Sequence, residues 1–493
     1  MSRVARTEPL AYRSGVQRRI APSRLRAGIG FVGPVVAAMI GGVVFAYLVS
    51  TGRWYLAVAC LLAAPILALI DRYPLAVVIL WLIVAPLVSE TEDNSTRKVF
   101  WLVHRSLPVA TVAFVAFAAA TGLSRRRVPR LGPPELMMAG YVAVTVVSIT
   151  YTGADPDASI YRLYDTVVVP MCLYLLVRLL EPDEQDLRRM LPAVVVLLVS
   201  QSIIGLMAWI APGMLPSEWL GKLGQRTTGS LRTPDVFATT VLFCGLYILA
   251  LGLTNRVVMR RAGAVFLFAL ALLMVFLTYS RASWIAGGTA AVGALLLARR
   301  SLTQILAVIV PVALFLGISG VLSGPIDMAR NRLESEAAEE SALSRLPIVY
   351  ASLRMFEEQP SLGWGYENFD RFDREYQRPV GNIVAPEKDH ASHNVYLTLL
   401  VEQGVVGLVL FCGPAVWWLA RTRSRWRYLP RDGTTGRTLV GALWLVLAAH
   451  FIVNNFSRMQ VPFGFGIYWL TLGLIASLVC RSRPAPTLPV RES

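Results

Sequence analysis

The chain has 493 residues, of which 55% are hydrophobic and 16% charged, and its formal net charge is +16. This composition is too apolar for a soluble protein, and repeated apolar runs of bilayer-spanning length indicate a polytopic membrane protein. The positive charge is scattered over short segments without interleaved aromatic residues. That pattern disfavours nucleic-acid binding and favours contact with anionic lipid headgroups.

The apolar runs predict an all-α protein with about 14 transmembrane helices. Their approximate positions are residues 30–50, 54–70, 74–89, 107–123, 136–151, 165–180, 190–211, 236–253, 262–279, 282–298, 303–322, 394–420, 438–455 and 460–480. These positions divide the chain into a basic N-terminal segment, a first bundle of about 11 helices, a polar segment, further helices and a tail. The corresponding ranges are 1–28, 29–322, 323–393, 394–480 and 481–493.

Basic residues are distributed unevenly between the two sides of this predicted bundle. With both termini on one side, that side carries 29 of the 47 Lys and Arg residues but only 9 of the 31 Asp and Glu residues. A missed helix would exchange the sides of every later segment and destroy the asymmetry. The positive-inside rule therefore predicts cytoplasmic termini and an extracytoplasmic loop at residues 323–393.

This loop is the longest polar interval between apolar runs and contains more acidic than basic residues. An apolar stripe at helical spacing begins after Ser344 and stops before Pro360, which predicts an amphipathic helix lying on the bundle. The members of the stripe are Leu346, Val349, Tyr350, Leu353 and Phe356. Residues 363–369, rich in glycine and aromatic side chains, either line a substrate groove or cap the bundle.

The loop ends at His393, where the next apolar helix begins. Histidine titrates near neutral pH, so at the mouth of a membrane helix it is a candidate general base or acid. The alternative is a histidine that caps the helix or satisfies loop carbonyls. His390, with Glu387 and Asp389 nearby, also permits a metal site with His393, although the cluster lacks strong ligand spacing.

Four stretches between residues 220 and 410 together resemble the O-antigen ligase and O-antigen polymerase superfamily of bacterial membrane enzymes. They are Arg226-Thr227-Thr228-Gly229 with Pro234, Thr278-Tyr279-Ser280-Arg281-Ala282-Ser283-Trp284, residues 360–369, and His393-Asn394-Val395-Tyr396-Leu397. Each stretch alone is a weak signal. Their order and spacing around one long outer loop make the resemblance fairly specific.

The resemblance implies a metal-independent enzyme without a cofactor, acting on the outer face of the bacterial cytoplasmic membrane. Its donor would be a glycan linked to a polyprenyl diphosphate, and its acceptor a hydroxyl of a glycan or glycolipid. A histidine and arginines are the central residues of such an enzyme. His393 would then take the proton of the acceptor hydroxyl, and no metal is expected at His390 and His393.

Arginine suits this donor because its planar guanidinium binds phosphate oxygens bidentately. Arg281, in a very short outer turn, is expected to contact the diphosphate, with interaction with lipid headgroups as the alternative. Arg226 matches the family pattern, and Arg232 lies in the same outer loop, so either is a candidate second clamp. Asn394 and Tyr396 are further substrate-binding candidates, although an Asn at a helix start is more often a cap.

Two function classes remain open at this point. One is a glycan-joining enzyme, either a polymerase or a ligase, which the sequence does not separate. The other is a transporter or flippase of lipid-linked glycans, which also needs many helices and internal charges. The absence of detectable internal repeats and the histidine motif at the end of the outer loop favour the enzyme.

Overall fold

The computed structural model describes residues 73–89, 94–121, 129–152, 155–220, 226–255, 257–298, 323–334, 343–383, 392–431, 433–457 and 461–482. Across these ranges the chain is helical, with one isolated bridge between Val380 and Ile383. The spans predicted near 30–50, 54–70 and 303–322, together with the N-terminal segment and most of the tail, lie outside them.

The helices are numbered in chain order. They are α1 (Leu75–Val88), α2 (Asn94–Phe100), α3 (Leu107–Ala120), α4 (Pro133–Thr152), α5 (Pro156–Leu163), α6 (Val169–Leu180), α7 (Glu184–Ile210), α8 (Pro234–Leu253), α9 (Val258–Phe276), α10 (Arg281–Leu297), α11 (Ser323–Glu334), α12 (Leu346–Glu358), α13 (Phe369–Tyr376), α14 (Val395–Arg425), α15 (Arg437–Asn454) and α16 (Pro462–Arg481). Two π-helical segments, Trp101–Ser106 and Tyr164–Val168, join α2 to α3 and α5 to α6.

Nine helical stretches in the described part of the chain are long and apolar enough to cross a membrane, and α1 and α10 are shorter apolar helices. This confirms an all-α membrane protein. Two predicted spans begin too late, however, because the helices continue outward to Thr96 and Pro156. Arg105, just before the first of these predicted spans, and Asp165, at the start of the second, form an ion pair.

The core of the bundle is built around α8 and α16, which are almost wholly buried. α8 packs against α7, α9 and α15, whereas α16 packs mainly against α6. Glycines allow close approach where α10 and α15 meet, with Gly293 against Leu445 and Gly441 against Leu297. Small residues at helix contacts are a general means of packing helices tightly in membranes.

α14 is too long to be a simple transmembrane helix, since its 31 residues would extend about 46 Å at a rise of about 1.5 Å per residue. Its helical path is interrupted at Gly404, where φ is 62° and ψ is −167°. The part after Gly404, from Val405 to Arg425, is about 30 Å long and matches the hydrocarbon thickness of a bilayer. The part before Gly404 is therefore free to lie at the membrane boundary.

Residues 360–369 run along this interruption and are called the strap. Backbone hydrogen bonds join Trp364 N to Val401 O (2.9 Å), Gly365 N to Glu402 O (2.8 Å) and Val405 N to Pro360 O (2.9 Å). These bonds use backbone groups that a continuous helix would have paired internally. The strap thus completes the hydrogen bonding of α14 where the helix is broken.

The predicted amphipathic helix is present as α12 and packs on α14. The face that it buries differs from the predicted stripe, because Ile348, Ala351 and Met355 are buried while Tyr350 and Leu353 are 46% and 40% exposed. Periodicity locates an apolar stripe but does not say which side packs on protein. The small Ala351 allows this face to pack closely, and Tyr350 and Leu353 stay exposed.

The backbone at Gly404 gives a first prediction. A Cβ at this position would lie 2.2 Å from Ser361 O, and φ lies in the left-handed region. Gly404→Ala should therefore displace the strap and lower the melting temperature, because strained backbone of this kind costs about 1–3 kcal/mol before the clash is added. Thermal unfolding of the detergent-solubilised protein measures the effect.

Gly288 is the matched control, since a Cβ there meets nothing within 4 Å. Gly288→Ala lies inside α10 and should leave the melting temperature unchanged or raise it, because alanine is favoured in helices by about 0.5–1 kcal/mol. Equal melting temperatures for the two variants would show that the Gly404 conformation is not required.

Candidate functional site

The first turn of α14 carries the sequence-predicted histidine. His393 is partly buried and has a φ of +50°, a left-handed conformation that is costly for any residue with a Cβ. Asn394 follows as the helix cap, and its Oδ1 accepts hydrogen bonds from Tyr396 N and Leu397 N, both at 3.0 Å. The side chain of Asn394 therefore caps α14, which was the alternative to substrate binding.

Two neighbours fix this helix start. Ser392 Oγ donates to Asn394 O (3.0 Å) and also contacts the hydroxyl of Thr398. Asn394 Nδ2 lies 3.4 Å from Asn455 Oδ1 at the end of α15. The ring of Tyr396 packs on Phe451 of α15, with centroids 5.3 Å apart. Asn394 and Tyr396 thus bind α14 to α15 and hold the segment that presents His393.

The two arginine-containing loops are joined to each other. Thr227 N, next to Arg226, donates to Leu277 O (3.1 Å) just before the turn that leads into Arg281. Asp235 Oδ1, on the first turn of α8, accepts from Ser280 Oγ (2.7 Å) and Ser283 Oγ (3.1 Å) on either side of Arg281. The structure therefore brings the loops of Arg226 and Arg281 together, and both arginines are partly buried.

Arg232 has a different environment. Its backbone is left-handed, with a φ of 57°, and its Nε donates to the carbonyl of Glu218 in the preceding segment. That contact ties the loop between α7 and α8 to the first turn of α8. This hydrogen bond therefore stabilises the loop and helps to fix the position of the Arg232 side chain.

The C-terminal end of α15 contacts the starts of two other helices. Arg345, just before α12, donates to Phe456 O (3.4 Å) at this end, and Asn394, before α14, lies beside Asn455. α10 and α15 are antiparallel, as the contacts of Gly293 with Leu445 and of Leu297 with Gly441 show. This register runs from Leu297 back towards Arg281 on α10 and towards Asn455 on α15, so the start of α10 is directed to the same end.

A cavity of about 60 Å³ lies on another face of the first turns of α14 and was not expected from the sequence. Its lining residues are Tyr141, Arg162, Thr166, Val167, Tyr366, Glu367, Val395, Thr398, Leu399, Glu402, Phe411 and Phe465. Glu402 is buried and accepts from Phe369 N (3.3 Å), so the strap fixes its carboxyl group. The cavity therefore combines an aromatic lining with a small number of positioned polar groups.

An ion pair lines one side of this cavity. Arg162 Nη1 lies 2.6 Å from Glu367 Oε1, and half of the arginine side chain is exposed. Ser159 Oγ donates to the other oxygen of Glu367 (3.0 Å). The pair joins α5 to the strap, and it brings together two segments separated by about two hundred residues. Sequence pattern gives no signal for such a contact.

A second, partly buried ion pair lies in the neighbouring helices. Arg105 Nε and Nη2 donate to the two carboxylate oxygens of Asp165 at 2.6 and 2.5 Å. His104 accepts from Trp81 Nε1 at 3.0 Å, and its other ring nitrogen lies 3.1 Å from Asp165 O. Both partners of the pair sit in the π-helical segments, a distortion frequent at functional positions. The sequence signal for this pair is a charged residue beside or within each of two apolar runs.

Comparison with known protein families indicates the class of protein to which this chain is similar. Residues 264–412 match the family model described as O-antigen ligase. The match confirms the resemblance to the O-antigen ligase and O-antigen polymerase superfamily, and it includes Arg281, the strap, His393, Asn394 and Tyr396 but not Arg226 or Arg232. No curated protein matches the chain.

This is a multi-helix membrane protein that over residues 264–412 is similar to O-antigen ligases, which supports a function in joining glycans. At this coarse level the family also implies a lipid-linked glycan donor and a glycan acceptor. His390, Glu387 and Asp389 of the alternative metal site lie outside the described residues.

Proposed function

We propose that this protein is an extracytoplasmic glycosyltransferase that joins a polyprenyl-diphosphate-linked oligosaccharide or polysaccharide to a hydroxyl of an acceptor glycan or glycolipid. The observation that supports the proposal is that α15 packs along α10, which begins at Arg281, and contacts the start of α14 through Asn455 and Asn394. A base and a phosphate-binding cation are the two groups that this reaction needs.

The proposed reaction is one substitution at the anomeric carbon of the donor sugar. The acceptor oxygen forms a bond to that carbon while the bond from the carbon to the diphosphate oxygen breaks. His393 receives the proton of the acceptor hydroxyl, and the diphosphate leaves with the electron pair. Arg281 stabilises the charge that develops on the leaving oxygen, so no metal ion or cofactor is required in this scheme.

Arg226 is proposed as the second clamp on the diphosphate. Its loop is hydrogen-bonded to the Arg281 turn through Thr227 and Leu277, whereas Arg232 contacts the Glu218 carbonyl. We assign Arg232, Asn394 and Tyr396 to positioning the loops and the start of α14. This refines the expectation that all of them bind substrate.

A transporter or flippase of lipid-linked glycans is the second candidate. The broken helix at Gly404 and the partly buried pair of Arg105 and Asp165 favour it, because interrupted helices and intramembrane charges recur in transporters. The proposed function is preferred because backbone groups of the strap pair with those of α14 on both sides of Gly404. The groups paired in this way are not available to coordinate a transported ion.

The topology gives a prediction that does not depend on the chemistry. In a background without the five native cysteines, Tyr350→Cys on the exposed side of α12 should react with an impermeant maleimide on intact cells. Arg427→Cys, after α14, should react only once the membrane is permeabilised, because the positive-inside rule places it in the cytoplasm. The reverse pattern would contradict the proposed sidedness of the site.

Deletion of the gene tests the proposed function in the cell. A transferase mutant should accumulate lipid-linked glycan on the outer face of the membrane, where it is open to an added glycosidase. Long polymers on lipid would indicate a ligase and single repeat units a polymerase. Accumulation confined to the cytoplasmic face would instead support the flippase.

A further inference from the structure

We propose that the cavity beside the first turns of α14 is a pyranose-binding subsite that holds the hydroxyl-bearing sugar of the acceptor. The inference rests on the proposed function for the acceptor's role in transfer, but sugar binding itself can be measured without turnover. The subsite is formed by residues of α4, α5, α14, α16 and the strap, with two π-helical residues, Thr166 and Val167, between α5 and α6.

The lining suits a sugar ring rather than a lipid chain. Tyr141, Tyr366, Phe411 and Phe465 supply aromatic surface for the apolar face of a pyranose. Polar groups supply partners for its hydroxyls and include the Glu402 carboxyl group. Binding pockets generally combine a mostly apolar wall with a few precisely positioned polar groups. A polyprenyl chain has no hydroxyl groups to bond to these polar side chains, whereas a pyranose has several.

Tyr366 contributes a hydroxyl as well as a ring. Its backbone N–H donates to Ser148 Oγ (2.9 Å), and its hydroxyl lies 3.4 Å from Thr166 Oγ1, so the side chain is fixed at both ends. Burial raises the pKa of Tyr366 well above its usual range. The phenol therefore stays protonated and can donate a hydrogen bond at neutral pH.

The size of the cavity limits what enters it. A volume of about 60 Å³ accommodates roughly four water molecules. That is enough for one edge of a pyranose, with two or three hydroxyl-bearing carbons, but not for a disaccharide. The rest of the sugar would remain outside, next to the half-exposed Arg162 and its partner Glu367.

The position of the cavity distinguishes acceptor from donor. Val395, Leu399 and Glu402 lie on one face of α14 and line the cavity. Tyr396, about 100° away around the helix, packs on Phe451 of α15, the helix against which α10 with its Arg281 start packs. The diphosphate of the donor is assigned to the α15 side, so the cavity side is left to the acceptor, and His393 lies just before the start of α14.

The test is direct binding of simple sugars to the full-length protein in a detergent without a sugar headgroup. Saturation-transfer NMR would use methyl glycosides of glucose, galactose, mannose and N-acetylglucosamine, with cyclohexylmethanol as a ring-sized probe that has one hydroxyl. At least one glycoside should bind the wild type in preference to cyclohexylmethanol. Arg162→Gln should weaken that binding by about tenfold, the effect of losing one charge-assisted hydrogen bond.

Tyr350→Ala is the matched control, because Tyr350 is exposed on α12 and does not line the cavity. It should bind as the wild type does, whereas Tyr366→Ala should lose binding. If Tyr366→Ala fails to fold, Arg162→Gln decides the question, since its side chain is half exposed. Equal binding by Arg162→Gln and Tyr350→Ala, or no preference over cyclohexylmethanol, would overturn the subsite.

A final experiment asks whether the cavity binds the acceptor or the donor. It also tests the subsite independently of the proposed function. In a ligase, whose acceptor is a different molecule, saturating lipid-linked glycan extracted from the native membranes should leave the methyl glycoside bound, and its displacement would contradict the acceptor assignment. In a polymerase the lipid-linked glycan is also the acceptor and should displace the methyl glycoside. Sugar binding that persists in a protein with no transfer activity would refute the proposed function while leaving the subsite in place.

Discussion

Replacing His393 by Gln is expected to lower single-turnover transfer by about 10²–10⁴-fold, the usual contribution of a general base. Glutamine keeps polarity and approximate size but cannot take the acceptor proton. Asn394 caps α14, and its side-chain oxygen accepts hydrogen bonds from Tyr396 N and Leu397 N. The helix should therefore start normally in the variant, and donor binding through the arginines should be unchanged.

His390→Gln serves as the control for this experiment, because it removes a histidine of the same segment outside the His393-Asn394 motif. It should cost much less transfer than His393→Gln. Rapid-mixing transfer and separate donor-binding measurements are needed for both variants. Near wild-type transfer by His393→Gln, or a loss explained wholly by absent donor binding, would exclude His393 as the base.

Replacing Arg281 by Ala should nearly abolish transfer, with a loss of about 10²–10³-fold as for removal of one group that stabilises developing negative charge. Arg281 begins α10, and the residues on either side of it are held by Asp235 through Ser280 and Ser283. The fold of this turn does not depend on the guanidinium alone. Arg281→Lys keeps the charge but loses bidentate geometry, so it should remain well below the wild type.

Arg330→Ala is a suitable comparison for the loss of one arginine, since Arg330 is exposed and paired with Glu334 on α11. It should leave transfer unchanged. Transfer by Arg281→Lys equal to the wild type would leave only a point-charge or headgroup-anchoring role for Arg281. In that case the diphosphate clamp would have to be sought elsewhere.

The sequence predicted the local parts of the site because each is encoded in one short stretch. The Arg226 loop, the Arg281 turn and the His393 helix start are all motifs of adjacent residues. Their mutual placement is partly visible in the structure, through Thr227 and Leu277 on one side and Asn394 and Asn455 on the other. The roles of these residues in catalysis remain predictions for the experiments above.

The cavity was not predictable in the same way. Tyr141, Arg162, Tyr366 and Glu402 come from separate segments, and no periodicity connects them. Glu402 and Gly404 lie in an apolar run that indicates one continuous span, so the interruption of α14 at Gly404 leaves no trace in hydropathy. The strap stabilises this interruption by pairing with it, and it lies more than thirty residues earlier in the chain.

The early starts of two spans have a related cause. The sequence prediction began these spans at residues 107 and 165, so it left Arg105 outside the first span and put Asp165 at the very start of the second. An isolated charge inside a membrane is costly. The bidentate pairing of the two residues removes much of that cost. Only the three-dimensional arrangement shows that each segment supplies the partner of the other.

Transfer by purified protein in detergent is the most direct test of the proposed reaction. The wild-type protein would be mixed with lipid-linked glycan and the glycolipid fraction, both extracted from the native membranes, and the products would be separated by mass. The proposed function predicts a product joining the two and a released polyprenyl diphosphate, formed without a second compartment and lost in Arg281→Ala. Unchanged lipid-linked glycan with a folded, donor-binding wild-type protein would contradict the proposal and favour a transporter.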